Sequence, residues 1–460
     1  MSRFRNSTRV PGRRRSVHRR SAGVLVTAVA AVAALAGGTT AAVASGGLNG
    51  VAGGIGTLGS GVAGATGGLT EQLTGALARA TAPAAPAEAA APTVSPADGT
   101  TDVAPRTPVR VSVGSGRLHA VALTPDAPTG NAPAGKALAG KAPAGKAVAG
   151  TLAKDGRSWT ATGPLAFGTG YHLSGTWTRD DGTVVPVGGR FGTLAPENKV
   201  TAGVNIADGA TVGVGAPVIL QFDRNLSDDA KARVERALTV KTSKKAEGAW
   251  AWLPDAQEGS RVHYRTKSYW PAHSTVSVTA PLRGLDLGDG SWATDDVSTS
   301  FTVGRSQIVK ADTNSHGMVV VRDGKRSASY NASYGKESDP NRVTRSGTHV
   351  VMSKQQKVLM SNPAYGYVNQ PEFWAVRMSN NGEFIHANPA SAAAQGSSNV
   401  THGCINLSVD DARAYFSTAL FGDPVEVTGS SVALSAADGD IYDWAIPWNE
   451  WRSMSALAKR

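Results

Sequence analysis

Residues 398–408 read SNVTHGCINLS, and they contain Cys404, the only cysteine in a chain of 460 residues. A single cysteine cannot form an internal disulfide, so the folded parts of the chain must be held by core burial. The thiol is either a small buried side chain or a reactive group, and its count alone does not separate the two. The residues around Cys404 carry the decision.

Two histidines are close to Cys404 in the sequence. His402 lies two residues before it, and His386 lies 18 residues before it, at the end of the predicted strand GEFIHA. The segment between them, NPASAAAQGSSNVT (residues 388–401), consists mostly of small residues that can fold the strand end back onto the cysteine. A thiolate is the active form of a cysteine nucleophile, and a neighbouring histidine makes it available at neutral pH.

The backbone around Cys404 is suited to holding negative charge. Gly403 permits a tight turn in which consecutive N–H groups point at one spot, as in an oxyanion hole for acyl transfer. Asn406 can brace this loop through its side-chain amide. Ser408 predicts the N-cap of a helix that ends near Gly422, and the start of a helix favours a nearby thiolate.

This constellation closely resembles the L,D-transpeptidase (YkuD) family of bacterial cell-wall enzymes. The family pattern is a histidine, a gap of some fifteen residues, and then Ser/Thr-His-Gly-Cys-x-Asn, which this chain carries as His386 followed by THGCIN at 401–406. The resemblance covers roughly residues 306–460 and includes SGTHVV (346–351) and DGDIYDW (438–444).

The resemblance implies a role for each motif residue. Cys404 is the nucleophile, His386 is the general base or acid, and Gly403 contributes a backbone N–H to the oxyanion hole. His402 shapes the oxyanion pocket or is an alternative base. Three further residues support the loop and the imidazole: Thr401, Asn406 and the backbone carbonyl of Ala387. Tyr365 and Tyr367 of NPAYGYVNQPEFW (362–374) remain without an assigned role.

The implied reaction is an acyl transfer between peptidoglycan tetrapeptide stems. Cys404 attacks the bond before the terminal D-Ala, D-Ala leaves, and the thioester passes to a second stem as a 3→3 cross-link. The resemblance implies no metal and no cofactor, and carbapenem β-lactams as covalent inhibitors. A zinc site is disfavoured because two histidines and one cysteine fall short of the four ligands of structural zinc. The alternatives are an L,D-carboxypeptidase using the same acyl-enzyme and a non-catalytic wall-binding scaffold.

The first 44 residues predict export. Residues 1–20 carry eight arginines and no acidic residue, and the apolar run 22–38 is followed by small residues at Ala42 and Ala44. This is the pattern of a secretory signal, with cleavage expected after Ala44, or of an N-terminal membrane tether formed by residues 22–38. The chain is therefore expected in the cell envelope or cell wall.

The charge of the chain does not indicate a nucleic-acid partner. Removing the eight arginines of residues 1–20 from 46 basic residues leaves 38, against 35 acidic residues. A nucleic-acid-binding protein needs a basic face in its mature part. The high pI therefore reflects mainly the export segment, and no nucleic-acid partner is expected.

The rest of the chain predicts a mainly β protein. Short alternating runs separated by Gly, Pro and Asp are typical of β-sandwiches. We predict two tandem Ig-like domains at 96–197 and 198–305, after a low-complexity flexible linker at 45–95. A β-rich YkuD-type catalytic domain follows at 306–428, with a short helix after Cys404, and an extension at 429–460 is expected to pack on it. Since the two Ig-like domains offer no candidate nucleophile, we expect them to act as spacers and residues 306–460 to react alone, provided this segment folds.

Overall fold

Strands make up most of the structure, as the alternating sequence pattern predicts. The structure, a computed structural model, describes residues 90–126, 145–439 and 441–458. The predicted signal or anchor, including its apolar run 22–38, and most of the predicted linker lie outside the described residues. No helix within the described ranges is long and apolar enough to cross a membrane.

The first β domain is a sandwich of two four-stranded sheets. Their strand orders are β1-β3-β6-β5 and β2-β8-β7-β4. The eight strands are β1 Thr93–Ser95, β2 Thr100–Val103, β3 Arg110–Ser112, β4 Arg117–Pro125, β5 Gly150–Leu152, β6 Ser158–Ala161, β7 Gly170–Thr178 and β8 Val184–Thr193. Alternate residues of β7, namely Tyr171, Leu173 and Trp177, are buried in the core between the sheets. The first strand begins three residues before the predicted domain start at residue 96.

The second β domain is also built from two four-stranded sheets, β10-β12-β15-β14 and β11-β19-β16-β13, with a small sheet β17-β18-β9 beside them. Its strands are β9 Asn198–Val200, β10 Ala202–Val204, β11 Thr211–Val212, β12 Val218–Phe222, β13 Thr239–Thr242, β14 Gly248–Trp252, β15 Arg261–Thr266, β16 Ser274–Ala280, β17 Asp286–Gly288, β18 Ser291–Ala293 and β19 Val297–Val303. Strict alternation of buried and exposed residues along β16 shows one face in the core. A helix, α1 (Asp228–Ala237), begins after the N-cap Ser227 and was not predicted.

The C-terminal domain combines a five-stranded sheet, β22-β21-β20-β28-β23, with a four-stranded sheet, β24-β25-β26-β27. Its strands are β20 Gln307–Asp312, β21 Gly317–Arg322, β22 Lys325–Asn331, β23 Gly347–Val350, β24 Ser353–Asn362, β25 Tyr367–Arg377, β26 Phe384–Ala387, β27 Ile405–Leu407 and β28 Pro424–Thr428. Short 3-10 turns lie at Pro363–Tyr365 and Pro389–Ser391. The core between the two sheets includes Ile385, Ile405 and Leu407, so the strands that flank Cys404 are anchored in the domain interior.

The helix after Cys404, α2 (Val409–Thr418), begins where the sequence predicts it. The hydroxyl of Ser408 accepts a hydrogen bond from the backbone N–H of Asp411, which satisfies one of the free donors of the first turn. Ala412 and Tyr415 are buried against the core, and the chain turns at Gly422 in the left-handed region. The helix therefore fixes the end of the segment that carries Cys404.

The C-terminal extension was expected to pack on the C-terminal domain, but its aromatic residues pack on the second β domain. The indole N–H of Trp451 donates to the Ala249 carbonyl at 2.9 Å, and that of Trp444 donates to the Gly215 carbonyl at 2.9 Å. The buried guanidinium of Arg265 lies 4.7 Å from the Trp451 ring centroid and 4.9 Å from that of Trp444. Cation–π attraction in a dry setting favours this docking, and Arg265 belongs to β15 of the second β domain.

The extension also contacts the C-terminal domain, including through the turn Asp443–Ala445, which lies beside β23. Leu434 donates its backbone N–H to the Ser346 carbonyl at 2.7 Å. The extension continues through 3-10 turns at Ala436–Asp438 and Asp443–Ala445 and ends in a short helix, α3 (Trp448–Ser453). It therefore links the two domains.

Candidate active site

The sheet topology brings His386 and Cys404 together. β26 ends with His386 and Ala387, and β27, which begins directly after Cys404, runs parallel beside it with Ile385 opposite Ile405. The intervening loop returns the chain over the top of the sheet, as the small residues of 388–401 predict. The side chains of His386 and Cys404 lie beside each other, the thiol is 3.6 Å from the Gly382 carbonyl oxygen, and the cysteine is partly exposed to solvent.

His386 is buried and is held from its Nδ1 side. Nδ1 lies 2.9 Å from the backbone oxygen of Ala387 and 3.0 Å from Oε2 of Glu372. With Nδ1 occupied in this way, Nε2 is left to face the thiol. Burial lowers the pKa of His386, but the Cys404 sulfur and the Glu372 carboxylate together outweigh it and raise that pKa to about 10. The imidazole therefore retains its proton at neutral pH.

The loop at Gly403 and Cys404 has its carbonyl groups tied into the protein. The Thr344 hydroxyl donates to the Gly403 carbonyl at 2.8 Å. The Cys404 carbonyl accepts from the Thr401 hydroxyl at 3.1 Å and from the Asn406 amide at 2.8 Å. Within the described ranges, the backbone N–H groups of Gly403 and Cys404 have no hydrogen-bond acceptor. They are free to bind a developing oxyanion.

Gly403 is required by its backbone conformation. Its φ is 110°, in the region that side chains with a Cβ rarely adopt. Space is not the constraint, because a Cβ at this position would meet Glu383 Cγ at 3.5 Å, an ordinary contact. Glycine therefore permits the turn that precedes Cys404.

Asn406 connects the cysteine loop to two neighbouring segments. Its amide nitrogen also donates to the Ser333 carbonyl at 3.1 Å, and its oxygen accepts from the Asn388 side chain at 2.9 Å. The residue is fully enclosed. Its amide thus fixes the loop, the start of segment 388–401 and the strand region around Ser333 relative to one another.

His402 points its ring toward tyrosines. The ring centroid lies 4.8 Å from that of Tyr365 and 5.6 Å from that of Tyr367. In the described part of the chain the imidazole forms no hydrogen bond. The pKa of His402 is lowered, mainly by partial burial and to a smaller extent by the positive charge of the nearby Arg342. The pKa of Tyr367 is raised by burial and by the charge of Cys404, so this tyrosine also faces the site. The sequence had left both tyrosines unassigned.

Comparison with known proteins identifies the family. Residues 306–427 match the family model described as the L,D-transpeptidase catalytic domain (YkuD), and residues 100–286 match a bacterial Ig domain. The chain is 50% identical over 365 residues to L,D-transpeptidase 5 of Mycobacterium tuberculosis, and this alignment covers 79% of the chain and 77% of that protein. The chain belongs to the L,D-transpeptidase family.

Other L,D-transpeptidases match over similar or shorter stretches. L,D-transpeptidase 2 of Mycobacterium tuberculosis is 33% identical over 380 residues, covering 80% of this chain and 85% of that protein. A solved structure of an L,D-transpeptidase in complex with imipenem is 32% identical, with a TM-score of 0.42, and covers 51% of this chain and 100% of that one. The predicted fold class, mainly β with Ig-like domains before a YkuD catalytic domain, is confirmed. Family membership places the chain among acyl-transferring enzymes.

In this L,D-transpeptidase, the seven residues singled out from the sequence lie in one connected region around Cys404. They are His386, Ala387, Thr401, His402, Gly403, Cys404 and Asn406. Sequence reasoning missed Glu372 and Thr344, which contact His386 and Gly403 directly. Neither had a sequence signal, because both reach the site from distant strands or loops. No group of three His, Cys, Asp or Glu side chains suited to a metal ion occurs among the residues that the structure describes.

Proposed function

We propose that this L,D-transpeptidase forms 3→3 cross-links between peptidoglycan stems through a thioester on Cys404. The observation that carries the proposal is that Cys404 lies beside His386 and that, within the described residues, the backbone N–H groups of Gly403 and Cys404 have no acceptor of their own. Such an arrangement supplies a nucleophile, a proton donor and an oxyanion site at one place.

The acylation step follows from these positions. The Cys404 thiolate attacks the carbonyl carbon of the L-centre of the diamino acid, and the N–H groups of Gly403 and Cys404 donate hydrogen bonds to the oxyanion that forms. His386 gives the proton on Nε2 to the nitrogen of the departing D-Ala, the C–N bond breaks, and a thioester remains. Because His386 keeps its proton at neutral pH, the donor is ready when the leaving group needs it.

The second step returns the enzyme to its starting state. The side-chain amine of an acceptor stem attacks the thioester carbonyl, and His386, now neutral, accepts a proton from that amine. The C–S bond breaks and restores the thiolate beside the imidazolium. In an L,D-carboxypeptidase, water would take the place of the amine.

The remaining roles are proposed on the same basis. Thr401 and Asn406 hold the loop, and the Ala387 carbonyl keeps Nδ1 of His386 protonated. His402 shapes the pocket wall with Tyr365 and Tyr367, and its lack of a hydrogen bond within the described residues makes it the weaker candidate for the base. The chain would act in the cell wall after export through residues 1–44.

Two measurements on the full-length protein test the proposal. With tetrapeptide-containing muropeptides, the product should be 3→3 linked dimers with release of D-Ala. If tripeptides are the only product, the protein is an L,D-carboxypeptidase and the transferase proposal is wrong. With a carbapenem, whose strained carbonyl mimics the acyl donor, intact mass should show a covalent adduct that maps to Cys404. Cys404→Ala is the control and should show neither product nor adduct.

A further inference from the structure

The carboxylate of Glu372 contacts the imidazole of His386 at Nδ1, on the edge of the ring away from the thiol. It belongs to β25, the strand next to β26, and its Oε2 is 3.0 Å from Nδ1 of His386. The carboxylate is mostly enclosed, with 15% of the side chain exposed, and the imidazole is 4% exposed. A charge pair at this distance, largely shielded from water, interacts much more strongly than a surface pair.

A β-bulge places Glu372 on this face. At one end of the β25–β26 pairing Val376 lies opposite Ile385, and at the other end Phe373 lies opposite Ala387, so β25 contains one extra residue. If the register at Val376 continued without a bulge, Phe373 would lie on the same face of the sheet as His386 and Glu372 on the opposite face. A shift of one residue moves every side chain of a strand to the other face. Beyond the bulge, Glu372 shares the face of His386 and is its diagonal neighbour across the strands.

The bulge is maintained by packing around Trp374. This residue has φ of 54°, an uncommon conformation for a bulky side chain, which persists only where the surroundings hold it. Its ring lies 5.4 Å from the Phe416 ring and 5.4 Å from the Arg413 guanidinium, both on α2. The helix that follows Cys404 thus also supports the strand geometry that delivers Glu372.

Glu372 adds to the imidazole something that the Ala387 carbonyl does not supply. The carbonyl oxygen accepts the Nδ1 proton and so fixes the tautomer. A carboxylate on the same nitrogen also stabilises the positive charge of the imidazolium. The ionisable groups that face His386 are Cys404 on one side and Glu372 on the other, while Tyr367 faces both of these partners.

We propose that Glu372 is a positioning residue that completes a Cys404–His386–Glu372 triad and keeps His386 protonated for departure of the leaving group. This inference rests on the proposed function, in which His386 donates the proton to D-Ala. It also predicts that the hairpin β24–β25 is part of the acid–base machinery, since displacing β25 would separate Glu372 from His386.

The test compares Glu372→Gln, which keeps the shape and removes the charge, with the wild type in the full chain. The rate of Cys404 acylation by a carbapenem is measured by intact mass across pH 6 to 10.5. The alkaline limb of this profile reports loss of the His386 proton, and it should move down by about 1–3 pH units, the usual effect of a close opposite charge. Glu372→Asp, which keeps the charge on a shorter side chain, should restore part of the shift.

Glu247→Gln is the matched control, because it removes an exposed carboxylate of the second β domain that pairs with Lys267, 3.5 Å away, and lies outside the proposed site. Its profile should equal that of the wild type. If the alkaline limb of Glu372→Gln stays within ~0.3 pH units of that of the wild type, which is a twofold change in protonation, the proposal is overturned. Should that variant fail to fold, Glu372→Ala, which also removes the carboxylate, takes its place, and an unshifted alkaline limb in Glu372→Ala would overturn the proposal as well.

A second probe separates this inference from the proposed function. Alkylation of the sole cysteine by iodoacetamide also changes rate where His386 loses its proton, and it requires no acyl substrate. A shifted inflection in Glu372→Gln, together with no cross-linked muropeptides from the wild type, would keep the triad and reject the transpeptidation. Cross-linking by the wild type without a shifted inflection in Glu372→Gln would support the transpeptidation and reject the triad.

Discussion

The isolated segment 306–460 should fail to fold stably, although it contains every residue of the proposed Cys404 site. From the sequence, the Ig-like domains were expected to act as spacers and this segment to react alone, provided it folds. Two contacts in the structure argue against it. A chain that starts at residue 306 lacks Arg305, and without the second β domain it lacks the surface on which Trp451 is buried.

The magnitude follows from those two contacts. The two terminal guanidinium nitrogens of Arg305 donate to the fully buried carboxylate of Asp423, at 2.9 and 2.7 Å. Removing one partner of such a pair costs about 3–5 kcal/mol. Trp451 is 0% exposed, and returning its ring to water costs about 4–6 kcal/mol at 25 cal/mol per Å². The combined loss of about 7–11 kcal/mol is comparable with the whole stability of a typical domain, about 5–15 kcal/mol.

The assay compares segments 306–460 and 198–460 with the full chain. Urea unfolding followed by tryptophan fluorescence should give a cooperative transition for 198–460 and none for 306–460. Carbapenem adducts should form at Cys404 only in 198–460 and the full chain. If segment 306–460 unfolds cooperatively at the same urea concentration and reacts at the same rate, the two contacts do not stabilise the catalytic domain and the reasoning is wrong.

Four further substitutions test the site. His386→Ala should slow carbapenem acylation by roughly 10²–10⁴-fold, the range of general acid–base catalysis, whereas His402→Ala should retain a residual reaction; stopped-flow rates that reverse this order would reassign the two histidines. Gly403→Ala should reduce acylation by roughly 10²–10³-fold by moving an oxyanion donor, and unchanged kinetics would remove the N–H groups from the mechanism. Thr344→Val should lower the unfolding free energy by about 1–3 kcal/mol in urea titrations, since a buried hydrogen bond to Gly403 is lost; no change would show that water replaces it.

The parts of the site that the sequence predicts are those carried by neighbouring residues. Ser408, the predicted strand GEFIHA and a loop of small residues were enough to place Cys404 beside the end of β26, although strand β27 after Cys404 was not predicted. Helix α1 also had a local signal, because Ser227 precedes two acidic residues and an amphipathic stretch, but the surrounding β pattern concealed it. A structural feature can be predicted from the sequence when the residues that determine it lie within one short segment.

The parts that could not be predicted depend on contacts between distant segments. Glu372 reaches His386 because of one extra residue in β25, and alternation along the sequence does not show where a bulge lies. The docking of Trp444 and Trp451 depends on Arg265, nearly 200 residues earlier in the chain. A tryptophan stripe indicates that something covers it, but not which domain does so.

The hydrogen bond from Trp451 to Ala249 joins residues 202 positions apart. Contacts of such long sequence separation form late, because the loop-closure entropy is lost before the contact gives anything in return. The catalytic domain and its neighbour therefore reach their final arrangement only after residue 451 has been synthesised. A premature stop before residue 451 would leave the motif around Cys404 intact and still remove a tryptophan that helps to hold the two domains together.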